Sequence, residues 1–116
     1  MRNQPIDLPG GILTIKEGQT ESGHIDMRGM PLIGITIFGP DTLTGTVSIE
    51  VSGNLDAELT SAVRWSNLQS GGADMTVGAD EAVPIDFICW HGLRFSSGSA
   101  EGADREFKIM GVEDLT

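Results

Sequence analysis

PIDFICWHGLRFSSGSAEGADREFKIMG, residues 84–111, decides how the chain is read. Two apolar segments, 93–96 (LRFS) and 105–110 (REFKIM), flank a loop of Ser, Gly and Ala. A strand–loop–strand unit of this kind offers backbone to pair and side chains to bury. It gathers no cluster of reactive groups. The expectation is a β domain used for assembly or binding, not an enzyme.

Working outward, the neighbouring segments repeat the signal. In TVSIEVS (46–52) apolar residues take every second position, the pattern of a sheet with one buried and one wet face. LIGITIF (Leu32–Phe38) is β-branched and mostly apolar, as a central strand is, and Gly39-Pro40-Asp41 breaks it. Residues 12–16 and 23–27 form an earlier pair across 17–22. Residues 62–68, 73–78 and 83–87 follow, separated by Gln69-Ser70-Gly71-Gly72 and Gly78-Ala79-Asp80-Glu81. About eight or nine short strands at spacings of about 8–12 residues predict an all-β, single-domain antiparallel β-sandwich, jelly-roll-like in form. The best helical candidate is 54–63 (NLDAELTSAV), with an Asn cap and Leu55, Leu59 and Val63 at four-residue spacing; it has room for one turn. Residues 1–10, with Pro5 and Pro9, read as an extended N-terminal arm, and 11–116 as the sandwich domain.

Size and charge limit the function. The 116 residues suit one domain, and 16 glycines and 5 prolines punctuate many short strands. No apolar run approaches the ~20 residues of a membrane span, and the first residues carry no secretory pattern. The single cysteine, Cys89, gives no internal disulfide and suits synthesis in a reducing cytoplasm. Seventeen acidic against seven basic residues leave a net charge of −10. Nucleic-acid binding needs a basic face to displace counterions, so neither nucleic acid nor an anionic membrane is an expected partner. Arg94, Arg105 and Lys108 cluster in sequence and are expected to pair with Glu101, Asp104 and Glu106.

Candidate chemistry thins out on inspection. Cys89 and His91 share a face if their segment is a strand. A zinc site needs three or four ligands, and only His24 adds another imidazole. A Cys–His nucleophile needs an orienting third group and an oxyanion hole that nothing marks. A buried thiol beside a hydrogen-bonded histidine is the preferred reading. Asp41, Asp56, Asp74 and Asp80 sit near turns, but the twelve-residue calcium loop is absent, so solvated loop acids are the default. The glycines at 71–72 and 98–102 lack the following helix and lysine of a phosphate loop. No catalytic residue, cofactor or metal ligand is assigned. Trp65 and Trp90 are the ambiguous pair. With two Trp, four Phe and no Tyr, the core or a subunit interface is expected to claim them, and a sugar platform is the alternative. Trp65, Trp90, His91, Arg94 and Arg105 are therefore the candidate binding or interface residues.

The order of the pieces adds a resemblance. SGHIDMRGMPLIGITIFGP (22–40), LTGTVSIEVSG (43–53), AVPIDF (82–87), GLRFSSGSA (92–100) and ADREFKI (103–109) resemble, in that order, a group of small tailed-bacteriophage virion proteins. The resemblance covers residues 22–112. One departure is the turn after the central strand, Ser52-Gly53-Asn54-Leu55-Asp56 where the group carries S-x-D-G. The resemblance implies a β-sandwich virion component that decorates or cements the capsid exterior. It implies the major capsid protein and copies of itself as partners, with a homotrimer as the first expectation. Such a protein is made in the host cytoplasm and ends on the virion. The alternative is a carbohydrate- or receptor-binding module of a head or tail fibre.

Overall fold

A computed structural model describes residues 3–30, 32–55, 64–86 and 88–114. Every element is a strand: β1 (Asn3–Ile15), β2 (Glu21–Asp26), β3 (Leu32–Phe38), β4 (Val47–Ser52), β5 (Ser66–Asn67), β6 (Gln69–Ser70), β7 (Ala73–Asp74), β8 (Thr76–Val77), β9 (Ala82–Ile85), β10 (Gly92–Ser97) and β11 (Arg105–Asp114). The helical candidate at 54–63 lies, from 56 onward, outside the described residues. Two antiparallel sheets face each other. Sheet I runs β1-β11-β3-β9, and sheet II runs β2-β10-β4-β5 with β8 also paired to β4. A small hairpin, β6–β7, stands apart.

The chain changes sheet at almost every connection: β1 to β2, β2 to β3, β3 to β4, and again through β9, β10 and β11. If the short pieces β5–β8 count as one position, the path fills eight positions in two four-strand sheets. That is the jelly-roll order. Strand alternation explains the core. Leu13, Ile15, Ile35, Ile37, Ile85, Phe107 and Ile109 point inward from sheet I. Ile25, Val47, Ile49, Val77, Leu93 and Phe95 meet them from sheet II. The rings of Phe95 and Phe107 stack between the sheets, centroids 4.4 Å apart. Each such large apolar side chain contributes about 1.5–3 kcal/mol by leaving water.

Residues 3–10, expected as an arm, are extended but are not separate from the sandwich. Asn3 to Asp7 pair with Asp114 to Met110, the register breaks between Asp7 and Ile12, and pairing resumes to Ile15. Gly10, at φ +67°, occupies the break in a conformation L side chains rarely adopt. β1 is the edge of sheet I, the position where Pro5 and Pro9 cost least because an edge strand leaves N–H groups unpaired.

Candidate functional site

The two outer faces of the sandwich differ in chemistry. On sheet II, His24, Arg94, Glu50 and Asn67 occupy one cross-strand row over β2, β10, β4 and β5. Their neighbours in sequence, Ile25, Leu93 and Ile49, are buried on the opposite side, so period-two alternation turns the row outward. Arg94 is held by two carboxylates, Nε donating to Glu50 Oε1 at 2.7 Å and Nη1 to Glu21 Oε2 at 3.2 Å. Its guanidinium lies 4.6 Å from the centroid of Trp65, a cation–π contact. The His24 ring meets the same indole at 5.6 Å and 50°. Beside the row, the Asp74 carboxylate accepts from the Asn67 and Gln69 side-chain amides, both at 2.9 Å. Charged groups, an indole and two amides are thus fixed together on the outer face, the Arg94 and Glu50 side chains largely covered there, at 20% and 16% exposed.

The outer face of sheet I mixes apolar and charged residues. Ile12, Lys108, Phe38 and Ala82 form one row across β1, β11, β3 and β9. Asp7, Met110, Thr36 and Pro84 form the next. Ile12 is 58% exposed and Phe38 40%. Lys108 reaches Asp7 at 3.3 Å, which leaves little net charge among these two rows. A hollow of about 350 Å³ lies at the break in β1, lined by Asp7, Gly10, Ile12 and Lys108 among others.

Glu101 is the only buried acidic residue among the described ones, and it organises one end of the sandwich. Its carboxylate accepts from the Thr44 and Gly45 backbone N–H groups at 2.8 and 3.0 Å, from Ser97 Oγ at 2.7 Å and from Arg105 Nε at 3.0 Å. Its own backbone bonds Gly18 and Gln19 in the β1–β2 turn. Burial alone would raise its pKa. The donors from Thr44, Ser97, Gly45 and Arg105 outweigh that and bring it down to about 2, from an ordinary 4.5. Gly45 is required there because a Cβ would fall 2.5 Å from Ser97 Oγ and 2.8 Å from the Ser99 nitrogen. With every donor supplied by the protein itself, this carboxylate is structural.

The five candidate residues separate into three places. Trp65 and Arg94 meet on sheet II. Trp65 is half-buried on that outer face and takes no part in the core, one of the two places expected for it, because its ring covers Arg94. Trp90 does pack against the core, beside a cavity of about 290 Å³ that Leu68, Met75 and Ile85 also line. Its Nε1 is buried with no hydrogen-bond partner among the described residues. His91 splices two strands through its backbone, donating to Ser52 O at 2.8 Å and accepting from Met27 N at 2.6 Å. Arg105 belongs to the Glu101 node.

Two further expectations are corrected. Cys89 is exposed, not buried, because β9 ends at Ile85 and the segment before β10 is not a strand, so the shared-face reasoning for Cys89 and His91 does not apply. Of the expected ion pairs only Arg105–Glu101 forms as read. Arg94 pairs with Glu21 and Glu50, and Lys108 with Asp7, since neighbouring strands bring these acids opposite. Asp41, Asp74 and Asp80 do not converge, and no group of three or more metal-ligating side chains occurs among the described residues; Asp56 lies outside them. Glu50 and Asn67 were not singled out in the sequence, and His24 only as a spare imidazole. The outward phase of TVSIEVS signals Glu50, and the row of all four residues emerges only once the register is known.

No family model, curated protein or solved structure matches the chain. The functional reading therefore rests on the order of the sequence motifs and on the two faces.

Proposed function

We propose that the protein is a tailed-bacteriophage virion component, a capsid decoration protein that binds the outer surface of the head across capsomer seams. The observation that carries this reading is the outer face of sheet I, where Ile12 and Phe38 stand exposed in one row on either side of Lys108. A row of this kind has a reason to exist if another surface covers it. Four strands about 4.8 Å apart and about seven residues long give a face on the order of 450 Å². A standard specific interface takes about 800 Å² from each partner. One copy would bind weakly, and repetition on a symmetric lattice, or association into a homotrimer, supplies the remainder as avidity. The net charge of −10 favours the outside of a DNA-filled shell over its inside. The motif order at 22–112 points the same way.

Mass spectrometry of purified virions of the encoding phage tests this. The protein is expected in many copies per particle, removable without loss of packaged DNA. Absence from virions would overturn the proposal. The alternative, a carbohydrate- or receptor-binding module of a head or tail fibre, is supported by the opposite face, where Trp65 lies half-exposed beside Arg94 in the row that ends at Asn67. The two readings use different sheets and do not exclude each other.

A further inference from the structure

We propose that the outer face of sheet II is a binding site for a neutral saccharide, centred on Trp65, Arg94, Glu50 and His24. This deepens the carbohydrate-binding alternative and rests on it, not on the capsid reading, which concerns the other sheet.

The first argument is preorganisation. Arg94 is fixed by Glu50 and Glu21 through Nε and Nη1, which leaves its Nη2 without a hydrogen-bond partner among the described residues. Glu50 uses only Oε1 in that contact, so Oε2 is likewise unengaged there. With side chains 20% and 16% exposed, Arg94 and Glu50 hold a donor and an acceptor side by side at the rim of the indole, and a sugar hydroxyl both accepts and donates. Groups already immobilised lose little further freedom when a ligand binds. The Asn67 and Gln69 amides, locked on Asp74, extend the same order along the face.

The second argument is the indole. Burying Trp65 in the core would need no arginine. Here it stands over a charged row, half-exposed, with Arg94 at 4.6 Å and His24 at 5.6 Å. An aromatic surface beside fixed hydrogen-bonding groups matches a pyranose ring, which presents C–H bonds on a face and hydroxyls at its edge. The row crosses three strand spacings, about 14 Å, which suits an oligosaccharide lying across the strands.

Charge selects the class. Glu21, Glu50 and Asp74 outnumber Arg94, and still do if exposed Arg64 is counted with it. An anionic sugar would meet an excess of carboxylates and find the arginine already paired. A neutral one meets no such cost.

The test uses the full chain, biotinylated and assembled on streptavidin, on a printed array of neutral and acidic glycans. A neutral hit is then titrated in a Trp90→Phe background, where Trp65 is the sole indole. Binding to neutral glycans is expected, with a shift in Trp65 emission in that background and, by isothermal titration calorimetry of the otherwise native chain, a loss of about tenfold or more in affinity in Trp65→Ala and in His24→Ala. His24 is exposed, so its removal leaves the fold intact, and circular dichroism verifies both variants. Failure of every neutral glycan to bind, a preference for acidic glycans, or affinity within about twofold of the parent in both variants would overturn the proposal. None of these outcomes bears on whether the protein is found in virions.

Discussion

At the residue scale, Glu101 shows how one side chain determines the closed end of the sandwich. Its carboxylate ties loop residues Thr44 and Gly45, more than fifty positions away, to the β10–β11 connection. In the sequence it stood in a glycine-rich loop as a partner for Arg105. That pairing was legible, because the two are four apart; the two backbone donors were not, because no local pattern reports a contact across sheets. The folded-state pKa of about 2 lies below the ordinary 4.5. The stabilisation is therefore complete above about 4.5 and disappears as pH falls through about 2. Its size is on the order of 3 kcal/mol, since each pKa unit corresponds to about 1.4 kcal/mol. Glu101→Gln is expected to lower stability at pH 7 by about 2–3 kcal/mol and to flatten the acid limb. Urea unfolding at pH 7 and pH 3 measures both effects. Identical losses between the two pH values in variant and parent would show that the carboxylate is not the titrating element.

At the scale of elements, strands with strong alternation were read well and irregular ones were not. LIGITIF became β3 with the expected bounds, and TVSIEVS became β4 less one residue, because each buries a regular face. Residues 62–68 and 73–78 were expected as two strands; from 66 to 77 the chain forms four two-residue pieces. Gly71 and Gly72, both at positive φ, turn the chain tightly between β6 and β7, while Met75 interrupts the next run by bonding both Leu68 and Ile49. Pro5 and Pro9 suggested an arm, yet an edge strand tolerates proline, and β1 begins at Asn3. The correction carries a stability prediction. Leu8 is 7% exposed and Ile6 packs against the core, so removal of residues 1–10 exposes part of the interior. The loss of Leu8 alone is worth about 2–4 kcal/mol. Urea denaturation of the truncated chain is expected to show that loss or more, whereas an independent arm would leave the midpoint unchanged.

At the scale of the whole molecule, the fold class was legible because period-two patterning and turn residues recur along the chain. The two-faced character was not. Which outward positions share a row depends on register, and Ile12, Lys108 and Phe38 come from strands far apart in sequence. The jelly-roll path sends β1, β11, β3 and β9 to one sheet and brings the exposed Ile12 and Phe38 into one row of its outer face, while the other gathers Arg94, Glu50 and His24. Two faces of different chemistry suit a position on a surface, with the first face covered and the second in solvent. For the proposed capsid-decoration function, the most direct test is co-sedimentation of the purified protein with expanded capsids of the phage that this proposal assigns it to. Ile12→Ser and Phe38→Ser, both at exposed positions, are expected to fold normally and to weaken capsid binding by about tenfold or more, whereas His24→Ala on the opposite sheet leaves it unchanged. Capsid binding that survives both sheet I substitutions, or that never occurs with the parent protein, would contradict the capsid-decoration reading.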